Sequence, residues 1–329
     1  MRYIINNCTD PFFNIALEEY CLMHVNPGED YFMLWQNEPS IIVGKNQNTL
    51  EEINQHFVKE RGIKVVRRIS GGGAVYHDLG NLNFTFISRM GPGMTIDFSI
   101  FASPVIKVLK ELGVDAMLMG RNDIVAYNKK ISGNAQRLYR GRFLQHGTLL
   151  FDVNISDLAE ALNVSLDKIE SKGIKSIRSR VGNIREFLKE NMTIDEFRGL
   201  LQRRLSDDYR SEEISLSEKE LLRVSETARR KFASWDWTYG KSPPFNYRFE
   251  KRFPGGKVGV FIHIKEGLIK ECKFYGDYLG ILETEDVEVR LMGLKYQRKT
   301  VEEAMEGLDL ASYFGSITQH ELLEILFSS

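Results

Sequence analysis

The sequence predicts an α+β protein in two parts: residues 1–244 form a large domain on a mixed, mostly antiparallel sheet with packed helices, and residues 245–329 form a small α+β domain. Three observations carry this. Short β-branched or alternating runs recur at Tyr31–Trp35, Ile41–Val43, Ile63–Val66, Leu82–Ile87, Asp123–Tyr127, Lys130–Leu138 and Phe143–Val153. From Ile155 to Phe232 the apolar residues instead fall three and four apart, the helical period. Trp235-Asp236-Trp237 and Gly240-Lys241-Ser242-Pro243-Pro244 then end that pattern, because prolines stop a helix and cannot donate within a sheet. The boundary is placed there.

In chain order, Asp10-Pro11 is a helix start, a capping acceptor followed by proline at the first helical position. Phe13, Leu17, Tyr20, Cys21 and His24 follow on one face, with His24 closing the stripe as a structural residue. Thr49-Leu50-Glu51-Glu52 has capping-box spacing and opens a helix that Gly62 stops. A further helix runs from Phe98 to Leu112, with Gly113 as its stop. Asn128-Lys129 and Tyr139-Arg140-Gly141-Arg142 are turns between the strands of the central hairpins. Past the boundary, Tyr247–Phe253, Val258–Ile264 and Leu268–Tyr275 read as strands, and Val301–Leu308 and Thr318–Phe327 as helices.

Forty-four basic against 45 acidic residues give a formal net charge of −1, which exerts no general pull on nucleic acid or an anionic membrane. Arg2, Asp10, Glu18 and Glu19 interrupt the N-terminus, and no run of about 18 apolar residues occurs, so a cytoplasmic location without a membrane partner is expected. Cys8, Cys21 and Cys272 are odd in number and far apart, which points to neither a disulfide framework nor a zinc site.

The chemistry centres on Arg67-Arg68-Ile69-Ser70-Gly71-Gly72-Gly73-Ala74-Val75-Tyr76-His77-Asp78. Three glycines bare the backbone N–H groups to a ligand, and two guanidiniums beside them suit a phosphate or carboxylate. The turn is expected to join the strands Ile63–Val66 and Leu82–Ile87. Neither the Walker-type Gly-x-x-x-x-Gly-Lys-Ser/Thr loop nor a helix-opening Gly-x-Gly-x-x-Gly is present, so a bound nucleotide requires another fold.

Continued through Leu79-Gly80-Asn81-Leu82-Asn83-Phe84-Thr85-Phe86, this stretch resembles the signature of the lipoate–protein ligases, in the superfamily of biotin–protein ligases and octanoyltransferases. Gly120-Arg121-Asn122-Asp123-Ile124, Lys129-Lys130-Ile131-Ser132-Gly133-Asn134-Ala135, His146-Gly147-Thr148-Leu149-Leu150 and Lys172-Gly173-Ile174 through Arg178-Ser179-Arg180-Val181 are similar to the family's later motifs, in the family's order. The resemblance implies the biotin/lipoate ligase catalytic fold with an accessory C-terminal domain. It also implies ATP and Mg²⁺ as cofactors, lipoate or octanoate as substrate, and a monomer acting on apo lipoyl domains of 2-oxoacid dehydrogenase E2 subunits and on the glycine cleavage H protein.

Residue by residue, the resemblance makes Lys130 catalytic and a contact of both the acyl carboxylate and the nucleotide phosphate. Arg68, Gly73, Ala74, Val75 and Tyr76 join it as ATP contacts, and Gly71 and Gly72 shape the lipoate-binding loop. Asn122 is a further candidate, and Asp123 is a candidate magnesium ligand, with a turn-capping aspartate as the alternative. Lys129, the next residue on a strand, points to the opposite face. His77, His146 and Ser70 invite a hydrolase reading, but Ser70 has no base visible in the sequence and no nucleophile-elbow motif accompanies them. Two rivals to a ligase remain. An ATP-independent octanoyl or lipoyl transferase would need a cysteine near the turns, where none occurs. A non-catalytic cofactor-binding regulator would be expected to carry a DNA-binding helix-turn-helix, and none is evident.

Overall fold

The structure, a computed structural model, describes residues 1–327 except 46, 48, 90–96, 121, 163–179, 241–244, 277, 279–281 and 283, and gives the backbone alone for 50, 51, 240, 245 and 246. Arg121, Lys172 to Ser179 and the joint Lys241 to Pro244 therefore lie outside the described residues. The chain forms two compact units, Met1–Lys241 and Ser242–Ser329.

The first unit holds β1 (Arg2–Ile4), β2 (Tyr31–Trp35), β3 (Ser40–Val43), β4 (Lys64–Arg67), β5 (Val75–His77), β6 (Asn81–Arg89), β7 (Ala116–Met119), β8 (Asp123–Ala126), β9 (Lys129–Tyr139), β10 (Arg142–Leu150) and β11 (Glu212–Ile214). Eight of them make a sheet in the order β11-β1-β2-β6-β10-β9-β8-β7, and β4-β3-β5 make a second, smaller one. Strand β1 runs parallel to β11 and β2, and the remaining neighbours in the large sheet are antiparallel.

The run Tyr31-Phe32-Met33-Leu34-Trp35 lacks polar alternation because both faces of β2 are covered. Phe32 and Leu34 join Phe84, Phe86, Phe101 and Phe143 in one core cluster. Tyr31, Met33 and Trp35 turn the other way, onto Ile15, Leu17 and Cys21 of the helix Pro11–Met23. Both hairpins around β9 use two successive positive-φ residues, Tyr127 (49°) with Asn128 (63°) and Arg140 (47°) with Gly141 (77°). That geometry matches the right-handed twist of the flanking strands.

Several expectations change. The glycine turn does not lead into β6 directly. It connects β4 to β5, which flank β3 on either side, so the turn passes over the end of β3. The single helix expected from Thr49 is two, Thr49–Glu52 and Gln55–Glu60. The Thr49 hydroxyl donates to Thr238 O and accepts from Arg67 Nη2, which ties the start of the first of these helices to β4 and to Thr238. Asn54 caps the second helix, accepting from Phe57 N at 3.2 Å. His24 is exposed, so the buried stripe of the first helix ends before it. Strands β1, β5, β7 and β11, of three or four residues each, have no counterpart in the sequence reading, since they are too short to show a period.

The second unit is the meander β12 (Phe245–Phe253), β13 (Gly256–Lys265) and β14 (Leu268–Gly276) with helices Glu285–Leu291, Arg298–Met305, Leu310–Phe314 and Gln319–Leu326. Val258, Val260, Ile262, Phe314, Leu322 and Ile325 lie in its core. Thr318 and Glu321 form a reciprocal capping box at the last helix.

Candidate active site

Arg67 and Arg68 are adjacent, so on leaving β4 their side chains diverge to opposite sides. Arg67 is wholly buried, and its guanidinium donates to the carbonyls of Gly44, Lys45, Gln47, Trp237 and Thr238. It is a brace between loops and presents no charge to a ligand. Arg68 donates from Nη1 to Ile42 O at 2.9 Å and from Nη2 to Gly71 O at 2.6 Å and Gly73 O at 2.8 Å. The guanidinium thus turns the loop's carbonyls inward. Gly72 has φ +91°, and a Cβ there would stand 3.0 Å from Arg68 Nη2. Only glycine meets both conditions at this point.

A cavity of about 120 Å³ opens beside this turn, and Arg68, Gly72, Gly73, Ala74 and Val75 line it together with Lys130 and Asn122. Gly71, Tyr76 and Asp123 do not border it. The Tyr76 ring is buried among Ile41, Val43 and Val65, away from the cavity, and Asp123 reaches it only through Lys130, whose Nζ sits 2.8 Å from Asp123 Oδ1. Both side chains of that ion pair are about a third exposed, with 39% for the lysine and 35% for the aspartate. A Cβ at Gly133 would come 3.0 Å from Lys130 Nζ, so the glycine in Lys-Ile-Ser-Gly leaves room for the ammonium to fold back. Lys129 turns elsewhere, to Glu186 at 3.2 Å and over the Phe187 ring.

One functional element went unseen in the sequence. Ser70 Oγ lies 2.7 Å from His146 Nε2, and His146 Nδ1 lies 2.9 Å from Glu18 Oε1. The Trp35 indole donates to Thr85 Oγ1, and the Thr85 hydroxyl donates to Glu18 Oε1 at 2.6 Å, so Glu18 is the acceptor at which the network ends. His146 therefore carries a proton on Nδ1 toward Glu18, and its Nε2 shares a hydrogen bond with the Ser70 hydroxyl, which in turn accepts from Arg68 Nε at 3.0 Å. The base lacking for Ser70 is present. The hydroxyl is nonetheless fully buried, pinned from both sides and off the cavity wall, which makes the chain a support for Arg68. Glu18 could not be found from sequence, because it lies on a helix distant from both partners.

His77 borders the same cavity and is 3% exposed. Burial, reinforced by the nearby Arg68 and His146, lowers its pKa from 6.5 to about 3. The folded ring stays neutral while the unfolded one takes a proton below about pH 6.5. Its contribution to stability is therefore complete above pH 6.5 and is lost as pH falls toward 3, at about 1.4 kcal/mol per pH unit. Urea unfolding between roughly pH 7 and 5 should show a steeper loss in the parent than in His77→Phe, by about one proton. Equal slopes would mean that another group titrates.

Among the described residues no cluster of three or more acidic, histidine or cysteine side chains could hold a metal, and no helix is long and apolar enough to cross a membrane. No cysteine lines the cavity. Burial raises all three thiols, Cys272 to about 12, so none is poised as a thiolate.

Comparison with known proteins matches residues 10–206 to the lipoyl protein ligase A/B catalytic domain and residues 242–326 to the bacterial lipoate protein ligase C-terminus. The chain is 48% identical to the lipoate-protein ligase LplJ of Bacillus subtilis over 331 residues, covering 99% of this chain and 100% of that one. The bi-partite lipoate protein ligase of Thermoplasma acidophilum, studied with its E2 lipoyl domain, is 30% identical with a TM-score of 0.67 over 74% of this chain and 98% of its own. A lipoate-protein ligase A bound with ATP is 29% identical with a TM-score of 0.63, over 73% of this chain and 98% of its own.

Proposed function

The chain belongs to the lipoate–protein ligase family, and from that premise we propose that it activates free lipoate or octanoate with ATP and transfers the acyl group to a lysine of lipoyl domains, on 2-oxoacid dehydrogenase E2 subunits or the glycine cleavage H protein. The observation that carries the reading is the convergence of Lys130 and the glycine turn on one cavity that contains no cysteine. In the first step a carboxylate oxygen attacks the α-phosphorus and pyrophosphate leaves. Two anions meet there, so a fixed cation beside both oxygens lowers the barrier. Lys130, with a compact charge and freedom to leave Asp123, is suited to this. In the second step an acceptor amine attacks the mixed anhydride, and the same ammonium faces the oxygen that gains charge while AMP departs.

The bared N–H groups of Gly72 and Gly73 give the phosphates a surface without side chains, and Arg68 keeps that surface rigid. Magnesium fits as a companion of the triphosphate. It is satisfied by one or two carboxylates plus phosphate oxygens, and Asp123 is the carboxylate beside Lys130 that would serve; the ion would supply charge neutralisation of the phosphates. The buried, raised thiols count against the thioester-transferase alternative.

The purified protein should release pyrophosphate from Mg-ATP only when a medium-chain acid is present, and should add a lipoyl mass to an apo lipoyl domain. Acyl transfer from an acyl carrier protein without nucleotide, abolished by substituting Cys8, Cys21 or Cys272, would overturn the assignment.

A further inference from the structure

The cavity wall contains one donor whose proton position follows from a chain of contacts. Asn14 Nδ2 donates at 2.9 Å to the backbone carbonyls of both Cys8 and Gln36, which fixes that atom as nitrogen. The same nitrogen lies 2.9 Å from Asn37 Oδ1, which fixes the Asn37 amide in turn. Asn37 Nδ2 therefore points to His77 Nδ1, at 3.0 Å, and donates to it. Nδ1 is the bare nitrogen, and the proton of the neutral ring is on Nε2. That Nε2 is buried with no hydrogen-bond partner among the described residues, on a ring that lines the cavity.

Its place relative to Lys130 follows from the sheet. Strands β9 and β2 are three intervals apart in the order β2-β6-β10-β9, about 14 Å at the usual strand spacing. Lys130 is on β9, and the His77 ring packs edge-on against Trp35 of β2 with centroids 6.1 Å apart. An extended eight-carbon acid with its carboxylate at Lys130 thus carries its far end toward His77. Asn83, which pairs with Trp35 in register, lines the same cavity, and its Nδ2 likewise has no partner among the described residues.

Resting on the ligase reading above, we propose that His77 is a specificity-determining residue of the acyl site: its Nε2–H donates to an acceptor atom at the distal end of the bound acid. The cavity then prefers an acid bearing sulfur or oxygen there over an all-carbon chain of the same shape. A hydrocarbon would enclose the donor with nothing to receive its proton, whereas an acceptor satisfies it. Sulfur is a weak acceptor, so the discrimination is modest.

The matched probes are lipoate and its carbocyclic isostere 5-cyclopentylpentanoate, compared by kcat/KM for pyrophosphate release with the full-length protein. The parent should favour lipoate by about tenfold, the effect of one unpaired buried donor. In His77→Phe, which has no donor to leave unpaired, the ratio should fall toward one. A measurement that needs no variant is the ring-nitrogen NMR of the parent. It should show the Nε2–H tautomer at neutral pH and a shift of that proton on adding lipoate but not the isostere. Equal kcat/KM for the two acids in the parent, a ratio that survives in His77→Phe, or an Nδ1–H tautomer would overturn the inference while leaving the ligase reading intact. A parent that releases pyrophosphate with neither acid would overturn both.

Discussion

Lys130→Ala should slow overall lipoylation by at least about 10²–10³, the usual cost of removing one preorganised donor to developing charge, and should slow transfer from supplied lipoyl-AMP as well. The two effects belong together because one ammonium would serve both transition states. Folding is expected to be unaffected: the pair with Asp123 is about a third exposed, and pairs of that kind contribute little. A rate loss can therefore be read as chemistry. Lys130→Arg should recover little, since a planar fork spreads its charge and cannot replace a compact point charge between two oxygens. Lys129→Ala, whose ammonium pairs with Glu186, is the control. Equal damage from the two alanine variants, or parental rates for Lys130→Ala in both half-reactions, would show that the wrong lysine had been chosen.

Arg67→Met should cost about 3–5 kcal/mol of stability, because the side chain is wholly buried and its loss strands carbonyl acceptors in two loops at once. That is a large share of the stability of an ordinary domain. Arg67→Lys should recover only part of it, since a single ammonium cannot reach both Gly44 and Thr238. A urea midpoint equal to the parent's in Arg67→Met would remove the bracing role. This arginine also shows where the sequence misleads: two adjacent arginines before a glycine turn read as a pair of anion donors, but strand alternation sends one of them into the interior.

What could be read from the chain alone was what neighbouring residues decide together. The hairpin turn at Arg140-Gly141, the first one within a residue (Tyr127-Asn128 rather than Asn128-Lys129), the Asp10 cap and the opposite pointing of Lys129 and Lys130 follow from local geometry. The strand of three residues at Glu212–Ile214 forms only because β1 is there to pair with it. Thr49 begins a helix, as its capping-box spacing suggests, but the bonds of its hydroxyl to Arg67 and Thr238 are not visible locally. Glu18 looks like a solvent-facing helix glutamate and is instead the buried acceptor that orients His146. In each case a deciding partner is far off in sequence, 128 residues for Glu18 and His146 and 189 for Thr49 and Thr238. The cavity was legible as a turn and a lysine, but not as a polar network.

The bracing of the glycine turn by Trp237 and Thr238 also sets an order of events during synthesis. Arg67 cannot complete its contacts until a segment 170 residues later has emerged and returned to it, and β1 waits in the same way for β11. A ribosome-bound chain that ends before Thr238 would carry the whole glycine stretch with its buried arginine matched only by the segment 44–49. The glycine turn is therefore among the last features of the first unit to acquire its native form, even though its residues are made early. Contacts this far apart in sequence form slowly, so nascent chains long enough to bring residue 238 outside the ribosome should resist a protease that cuts within residues 68–74 far better than chains too short to expose it.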